Sequence, residues 1–136
     1  MNKAVMIIFL ILSIVLLALT GCAFDVIHLK QEPAKFVSAE LRKDSWVLVK
    51  TATIPLGTGY KRELKEGTRW DYAGNIEQGD VYKTDDQILT VEGSNIFEAY
   101  IVISENDLVG FYLPVEGTFS PVSSPVKLEM ERTGEN

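Results

Sequence analysis

A chain of 136 residues with a net charge of −6 and one cysteine excludes several classes of protein at once. The negative charge argues against nucleic acid as a partner, because a phosphate backbone is bound by clustered cations. A single cysteine has no second cysteine in the chain for a disulfide, so packing and hydrogen bonds must hold the fold.

The first residues are organised as an export signal. Lys3 precedes an apolar run over residues 4–19 that contains no charged residue. A helix over that run reaches about 24 Å at about 1.5 Å per residue, which is shorter than the ~30 Å hydrocarbon core of a bilayer. A basic start, a short apolar run and small residues before a cleavage point are typical of a secretory signal peptide. The sequence therefore predicts a signal peptide over residues 1–21.

The apolar run ends in Leu19, Thr20, Gly21 and Cys22, and these four residues resemble the lipobox of bacterial lipoproteins. The resemblance implies cleavage before Cys22, a thioether-linked diacylglycerol on its sulfur and frequent acylation of its amine. Each buried methylene contributes about 0.8 kcal/mol, so two or three long chains anchor a protein almost permanently. The alternative is an uncleaved membrane helix with an ordinary buried cysteine. Both interpretations place the rest of the chain outside the cytoplasm.

The residue after the cysteine bears on localisation. In Gram-negative lipoproteins an Asp at that position is the usual signal for retention in the inner membrane, and here the residue is Ala23. The resemblance thus implies transport to the outer membrane, facing the periplasm. Almost no linker precedes the first predicted strand, so the domain is expected close to the lipid. The inner membrane and a Gram-positive cell surface remain the alternatives.

Beyond Cys22 the pattern is that of short β-strands, because apolar and polar residues alternate between Gly, Pro and Asp turns. A half-buried strand is predicted over 27–30, a strand or helical turn over 36–39, and a central strand over 46–54. A strand over 60–64 and an extended segment over 70–76 follow, the latter with Trp70, Tyr72 and Ile76 on one side. Turns are predicted at 77–80 and at 85–86, with returning strands over 81–82 and 88–91.

A hairpin over residues 97–115 is the clearest structural feature. If Ser104 pairs with Leu108 across a three-residue turn, each pair on one face is apolar. The pairs on that face are Phe97 with Val115, Ala99 with Leu113, Ile101 with Phe111, and Ile103 with Val109. The opposite face then places Tyr100 directly across from Tyr112.

A loop with Gly117, Pro121 and Pro125 is predicted next, and a last strand is predicted over 126–131. The sequence therefore predicts an all-β domain over residues 22–136, following the signal helix. Its expected form is a small antiparallel β-sandwich or barrel of about seven to nine short strands.

The sequence offers little for catalysis or metal binding. His28 is the only histidine and lies in a predicted strand, and Cys22 is expected to carry lipid. Asp80, Asp85, Asp86 and Glu92 are close in sequence, but they lack the spacing of an EF-hand and are typical of solvated turns. We expect no catalytic residue, no metal site and no cofactor, and therefore no enzyme.

Aromatic residues supply the better hypothesis for a site. Trp70, Tyr72, Tyr100 and Tyr112 form the candidate binding face, and Tyr60 and Tyr82 are further members of the set. Tyr and Trp are enriched in protein contacts because they combine a large apolar surface with a polar tip. The alternative is that most of them pack in the core.

Two classes of function follow. In the first, the protein is a non-catalytic accessory or assembly module that binds an envelope protein, which predicts an exposed apolar patch and no deep pocket. In the second, it is a ligand module or inhibitor for cell-wall glycan or a secreted hydrolase, which predicts a concave aromatic groove. In both classes the membrane is reached through the lipid anchor.

Overall fold

The computed structural model describes residues 2–18, 27–39, 41–84 and 86–133. Helix α1, Lys3–Ala18, covers most of the predicted apolar run, and its apolar side chains from Val5 to Leu16 are exposed. Within the described ranges, no helix has both the length and the apolar character that a bilayer crossing requires. The predicted lipobox, Leu19 to Cys22, and Asp85 of one predicted turn lie outside the described residues.

All other elements among the described residues are short strands that pair antiparallel. The all-β prediction with an N-terminal helix is therefore confirmed. The strands are β1 Glu32–Pro33, β2 Val37–Ser38, β3 Ser45–Leu48, β4 Ala52–Pro55, β5 Lys61–Leu64, β6 Arg69–Ile76, β7 Gly79–Lys83, β8 Thr90–Glu92, β9 Ile96–Glu98, β10 Tyr100–Ser104, β11 Asp107–Leu113, β12 Thr118–Lys127 and β13 Met130–Arg132.

The main sheet is strongly curled. Its order is β1-β12-β11-β10-β7-β6-β3-β13, with β2 added beside β6. Six lateral steps separate β12 from β13 in this order, which is about 29 Å in a flat sheet. Yet only Leu128 and Glu129 connect these two strands, and that link spans about 11 Å at most. The sheet must therefore curl until its two ends lie near each other, although no pairing among the described strands closes it into a barrel.

Two hairpins form a second layer on the inner side of the curled sheet. The β4–β5 hairpin is inserted between β3 and β6, and the β8–β9 hairpin is inserted between β7 and β10. Their apolar residues, including Ile54, Leu64 and Val91, belong to the same buried cluster as Trp70 and Phe111 of the sheet. Two layers around one core are the arrangement of a β-sandwich.

The outer side of the sheet carries a smaller apolar cluster. Val81, Val102, Tyr112 and Phe119 are buried there, and Phe36 packs against them from the segment before β2. The ring of Phe36 stacks on that of Tyr112 at 5.0 Å between centroids. This segment crosses the outer face and covers it, so both faces of the central strands are buried.

The predicted hairpin register is confirmed in its central part and wrong at both ends. Tyr100 pairs with Tyr112 and Ile101 with Phe111, but Ile103 pairs with Leu108 instead of Val109. The turn has two residues, Glu105 and Asn106, both with positive φ, and a bulge near Val109 absorbs the remaining residue. At the other end, β9 pairs with β8, so Phe97 faces Val91 instead of Val115.

Three further predictions are corrected by pairing that is distant in sequence. Residues 27–30 are not a strand, and the edge strand β1 forms at Glu32–Pro33, where a proline is tolerated. The predicted strand over 46–54 divides into β3 and β4, which belong to different sheets. The predicted loop with Pro121 and Pro125 is part of β12, because β1 covers that strand only at Thr118 and Phe119.

A bulge corrects the predicted faces of the segment over 70–76. The register of β6 against β7 shifts between Tyr72 and Gly74. Trp70 and Tyr72 therefore face the main core, whereas Ile76 belongs to the outer cluster. The predicted turn after Ile76 is confirmed, since Ile76 pairs with Gly79 across two residues.

Candidate functional site

A groove lies at one end of the curled sheet. The ends of β3 and β7 lie beside the starts of β6 and β10, because the strands are antiparallel. Both inserted hairpins therefore emerge at that end of the sheet, and the groove lies at the opposite end. The groove is formed mainly by the start of β3, the start of β7, the β10–β11 turn and the link from β12 to β13. Its volume is about 510 Å³, and its lining residues are Arg42, Trp46, Asp80, Tyr82, Ile103, Glu105, Asn106, Lys127, Leu128, Glu129 and Met130.

The floor of the groove is continuous with the main core. Tyr82 and Leu128 are buried members of that core, and Trp46, Ile103 and Met130 pack against it while remaining partly exposed. Trp46 is positioned by pairing with Trp70 on one side and Arg132 on the other. A rigid strand framework therefore holds the aromatic floor, which is the arrangement that favours a preformed binding site.

Arg42 organises one wall. Its Nε donates a hydrogen bond to Asp44 Oδ2 at 2.6 Å, and its Nη1 lies 3.5 Å from Asp80 Oδ2. The guanidinium carbon lies 4.1 Å from the centre of the Tyr72 ring, and Tyr72 in turn contacts Tyr82 edge-on at 5.5 Å. A planar cation held by two carboxylates and an aromatic face is well ordered at this position.

These contacts also set the protonation of the wall. The hydrogen bond to Asp44 raises the pKa of Arg42, so the side chain stays cationic. Burial raises the pKa of Tyr82 above its ordinary value, although the nearby positive charge of Arg42 opposes that rise. Tyr82 is therefore a neutral phenol at physiological pH.

The rim carries exposed charges of both signs. Lys127 lies on one strand end, Glu105 lies in the β10–β11 turn and Glu129 lies in the link between β12 and β13. Exposed side chains at a rim are solvated, so each contributes modestly to affinity but strongly to the choice of partner. An occupant with a uniform charge would meet a repulsive group at this rim.

The structure separates the four residues of the predicted binding face. Trp70 is fully buried in the main core, and Tyr72 packs against that core beneath Arg42. Tyr100 and Tyr112 lie on the outer side of the sheet, where Tyr112 is only 7% exposed under Phe36. Burial raises the pKa of both tyrosines. The nearby charge of Glu98 raises the pKa of Tyr100 further, and Tyr100 does the same for Tyr112. These four residues share no common surface.

Of the residues that line the groove, Tyr82 is the one that sequence reasoning had placed in the candidate aromatic set, whereas Asp80 had been assigned to a solvated turn. Trp46 was assigned to a central strand, and the cluster of Arg42, Asp44 and Asp80 was not anticipated. Arg42 and Asp80 are 38 positions apart, so only the fold brings them together.

The groove contains chemistry suited to binding. Its lining includes neither histidine nor cysteine, and across the described ranges no three His, Cys, Asp or Glu side chains gather as a metal site. His28 lies elsewhere, beside a separate cavity that Leu29 and Thr58 also line. What the groove offers is an apolar floor, amide and carboxylate acceptors and two cations.

Comparison with protein-family models, with curated proteins and with solved structures found no match to this chain.

Proposed function

We propose that this protein is a lipid-anchored envelope protein that works by binding, and that the groove holds a polypeptide segment of an envelope partner. Residues 1–21 act as a cleaved signal peptide, and Cys22 carries the diacylglycerol anchor. The domain faces the periplasm from the outer membrane. No catalytic step is assigned to it.

The anchor is supported by the sequence and by the exposure of helix α1. The four residues from Leu19 to Cys22 follow the lipobox pattern directly after the helix. The helix has exposed apolar side chains along its length, and exposure of so much apolar surface to water is unfavourable. Removal with the signal peptide accounts for a helix of this kind.

One observation carries the binding proposal, namely a groove with an aromatic floor and a rim of mixed charge. Its volume of about 510 Å³ lies within the range of about 300–1,000 Å³ that is usual for ligand sites. A polypeptide segment offers apolar side chains for Trp46 and Ile103, and it offers charges of both signs for Lys127 and Glu105. A concave groove is the form that the ligand class of function predicts, so this proposal keeps the protein partner of the accessory class but not the exposed patch that was expected for it.

A glycan is the second candidate, because the groove contains two aromatic rings. Sugars stack on open aromatic faces, and here the faces are partly taken. The guanidinium of Arg132 lies 5.2 Å from the Trp46 ring centre, and Tyr82 is only 6% exposed. These contacts favour the polypeptide over the glycan.

Replacing Cys22 tests the anchor. We expect Cys22→Ala to accumulate as unprocessed precursor, because lipid transfer to the thiol precedes cleavage in the lipoproteins that this sequence resembles. Intact-mass spectrometry of protein from envelope membranes measures this. The wild type should have lost residues 1–21 and gained a diacylglycerol mass, and normal processing of Cys22→Ala would remove the lipobox interpretation.

A charge exchange tests the groove. The double variant Lys127→Glu with Glu105→Lys reverses two exposed rim charges and leaves the net charge unchanged. Capture of the envelope partner after crosslinking and affinity purification should fall about tenfold or more, which corresponds to about 1.4 kcal/mol. The matched control is Lys65→Glu with Glu63→Lys, two exposed residues outside the groove. Equal losses in both double variants, or in neither, would contradict the assignment of the groove.

A further inference from the structure

The two inserted hairpins and the first described residues of the domain meet at one place. The hydroxyl of Thr58, in the β4–β5 turn, donates to the backbone carbonyl of Glu92 in β8 at 3.1 Å. Leu29 packs so closely on Gly93 that a Cβ there would lie 3.0 Å from the Leu29 nitrogen. A cavity of about 360 Å³ is lined by residues 28–30 together with Gly57 and Thr58. The chain that leads from Cys22 therefore enters the domain beside both hairpin tips.

Three large side chains are exposed around this meeting point. Ile27 is 51% exposed, Tyr60 is 49% exposed and Ile96 is 72% exposed. Each lies two to four residues from the contacts just described, and Ile96 pairs directly with Glu92. Leu29, Leu56 and Phe97 lie close to them in the chain and belong to the core or pack against it, whereas these three side chains are exposed. We call Ile27, Tyr60 and Ile96 the hairpin-tip surface.

The distance to the anchor limits what this surface can meet. Four residues lie between Cys22 and Ile27, and the five Cα–Cα steps that join the two reach about 18 Å at most. If Cys22 is acylated, as the proposed function requires, its lipid chains begin within that distance of Ile27. The bilayer is then the nearest large apolar phase to the hairpin-tip surface.

Because the tether is short, three exposed side chains are enough for contact with the membrane. Contact between a tethered domain and its own membrane is intramolecular, so the effective concentration is high and weak contacts become occupied. Isoleucine side chains gain from leaving water, and tyrosine is enriched at the level of lipid headgroups. Lys30 and Lys61 are exposed next to Leu29 and Tyr60, and a lysine near a membrane surface is attracted by anionic headgroups.

We propose that the hairpin-tip surface rests on the bilayer that holds the Cys22 anchor, with Ile27, Tyr60 and Ile96 inserted at the headgroup level. This proposal rests on the lipid anchor of the proposed function. The groove shares no lining residue with this surface, so partner binding and membrane contact do not compete for the same side chains.

The test uses the full-length, processed protein in vesicles of phosphatidylethanolamine and phosphatidylglycerol. A cysteine replaces Ile96 and carries an environment-sensitive fluorophore, while the matched control carries the same label at Leu41→Cys. Leu41 is fully exposed and lies next to the groove residue Arg42. Spin-labelled lipids quench a fluorophore only when it lies at the membrane.

The label at position 96 should emit at shorter wavelength and lose most of its fluorescence to the spin-labelled lipids, whereas the label at position 41 should keep the emission of a fluorophore in water. Water-like emission at both positions, or equal quenching at both, would overturn the membrane-contact proposal. Intact mass separates the two hypotheses in the same sample. A Cys22 without diacylglycerol would overturn the anchor and the surface together, whereas a correct lipid mass with a water-like label at position 96 would overturn the surface alone.

Discussion

Two glycines shape the outer side of the sheet. A Cβ on Gly110 would lie 2.5 Å from ring atoms of Phe119, and a Cβ on Gly74 would lie 2.7–2.8 Å from ring atoms of Phe36. Because both positions lack a side chain, the two phenylalanine rings pack close to the strand backbone there and belong to the outer cluster. The sequence alone does not reveal this, since a glycine inside a strand is equally typical of a bulge.

Filling one of these positions should destabilise the protein. Gly110→Ala places a methyl group against Phe119 and the backbone of Ser120, so we expect a loss of about 1–3 kcal/mol in the free energy of unfolding. Urea denaturation of the detergent-solubilised protein, followed by tryptophan fluorescence, measures it. Gly57→Ala is the control, because nothing lies within 4 Å of a Cβ at Gly57. Equal stability of the two variants would contradict the packing described here.

Single residues also show where the aromatic hypothesis was incomplete. Exposure of a tyrosine depends on what covers it, and Phe36 covers Tyr112 from 76 positions away in the chain. Alternation correctly placed Tyr100 and Tyr112 opposite each other and away from the main core. It contained no information about the crossing segment, so it predicted an open face where the structure has a second cluster.

At the level of elements, local pattern predicted most strands and long-range pairing decided the others. The centre of the β10–β11 hairpin was predictable because several consecutive pairs agree on one register. The length of the turn was not predictable. A three-residue loop and a two-residue turn followed by a bulge give the same strand register beyond the bulge. In β12, two prolines suggested a loop. Pro121 pairs with Gly110 of β11 on one side, and β1 pairs with β12 on the other side only at Thr118 and Phe119, so the other side of β12 has no paired strand at the prolines among the described residues. A proline is tolerated in such an edge position.

The β10–β11 turn can be made more stable by a single substitution. Glu105 and Asn106 have φ values of 51° and 69°, the left-handed region that a two-residue hairpin turn requires at both positions. Glutamate is disfavoured there and asparagine is tolerated. We expect Glu105→Asn to raise the free energy of unfolding by about 0.5–1 kcal/mol, measured by the same urea denaturation. Glu116→Asn, in the β11–β12 turn without a positive φ at that residue, should give no comparable gain. Destabilisation by Glu105→Asn would contradict the assigned turn.

For the whole molecule, curvature creates the groove. The link through Leu128 and Glu129 joins strands at opposite ends of the sheet order, and the resulting curl brings Arg42, Tyr82 and Lys127 to one opening. No stretch of sequence contains these residues together, so the groove could not be predicted, although the fold class could. The groove and the hairpin-tip surface share no residue, and we propose that the first contacts a partner and the second the membrane.

The most direct measurement of the central claim is site-specific photo-crosslinking in intact envelopes. A benzophenone amino acid replaces Asn106 at the groove rim, and the same residue replaces the exposed Glu63 on β5 as the control. We expect the residue at position 106 to form adducts with one contiguous segment of one envelope protein, which mass spectrometry identifies. The residue at position 63 should form no such adducts. Adducts with glycan alone, identical adducts from both positions, or none from position 106 would contradict the central claim.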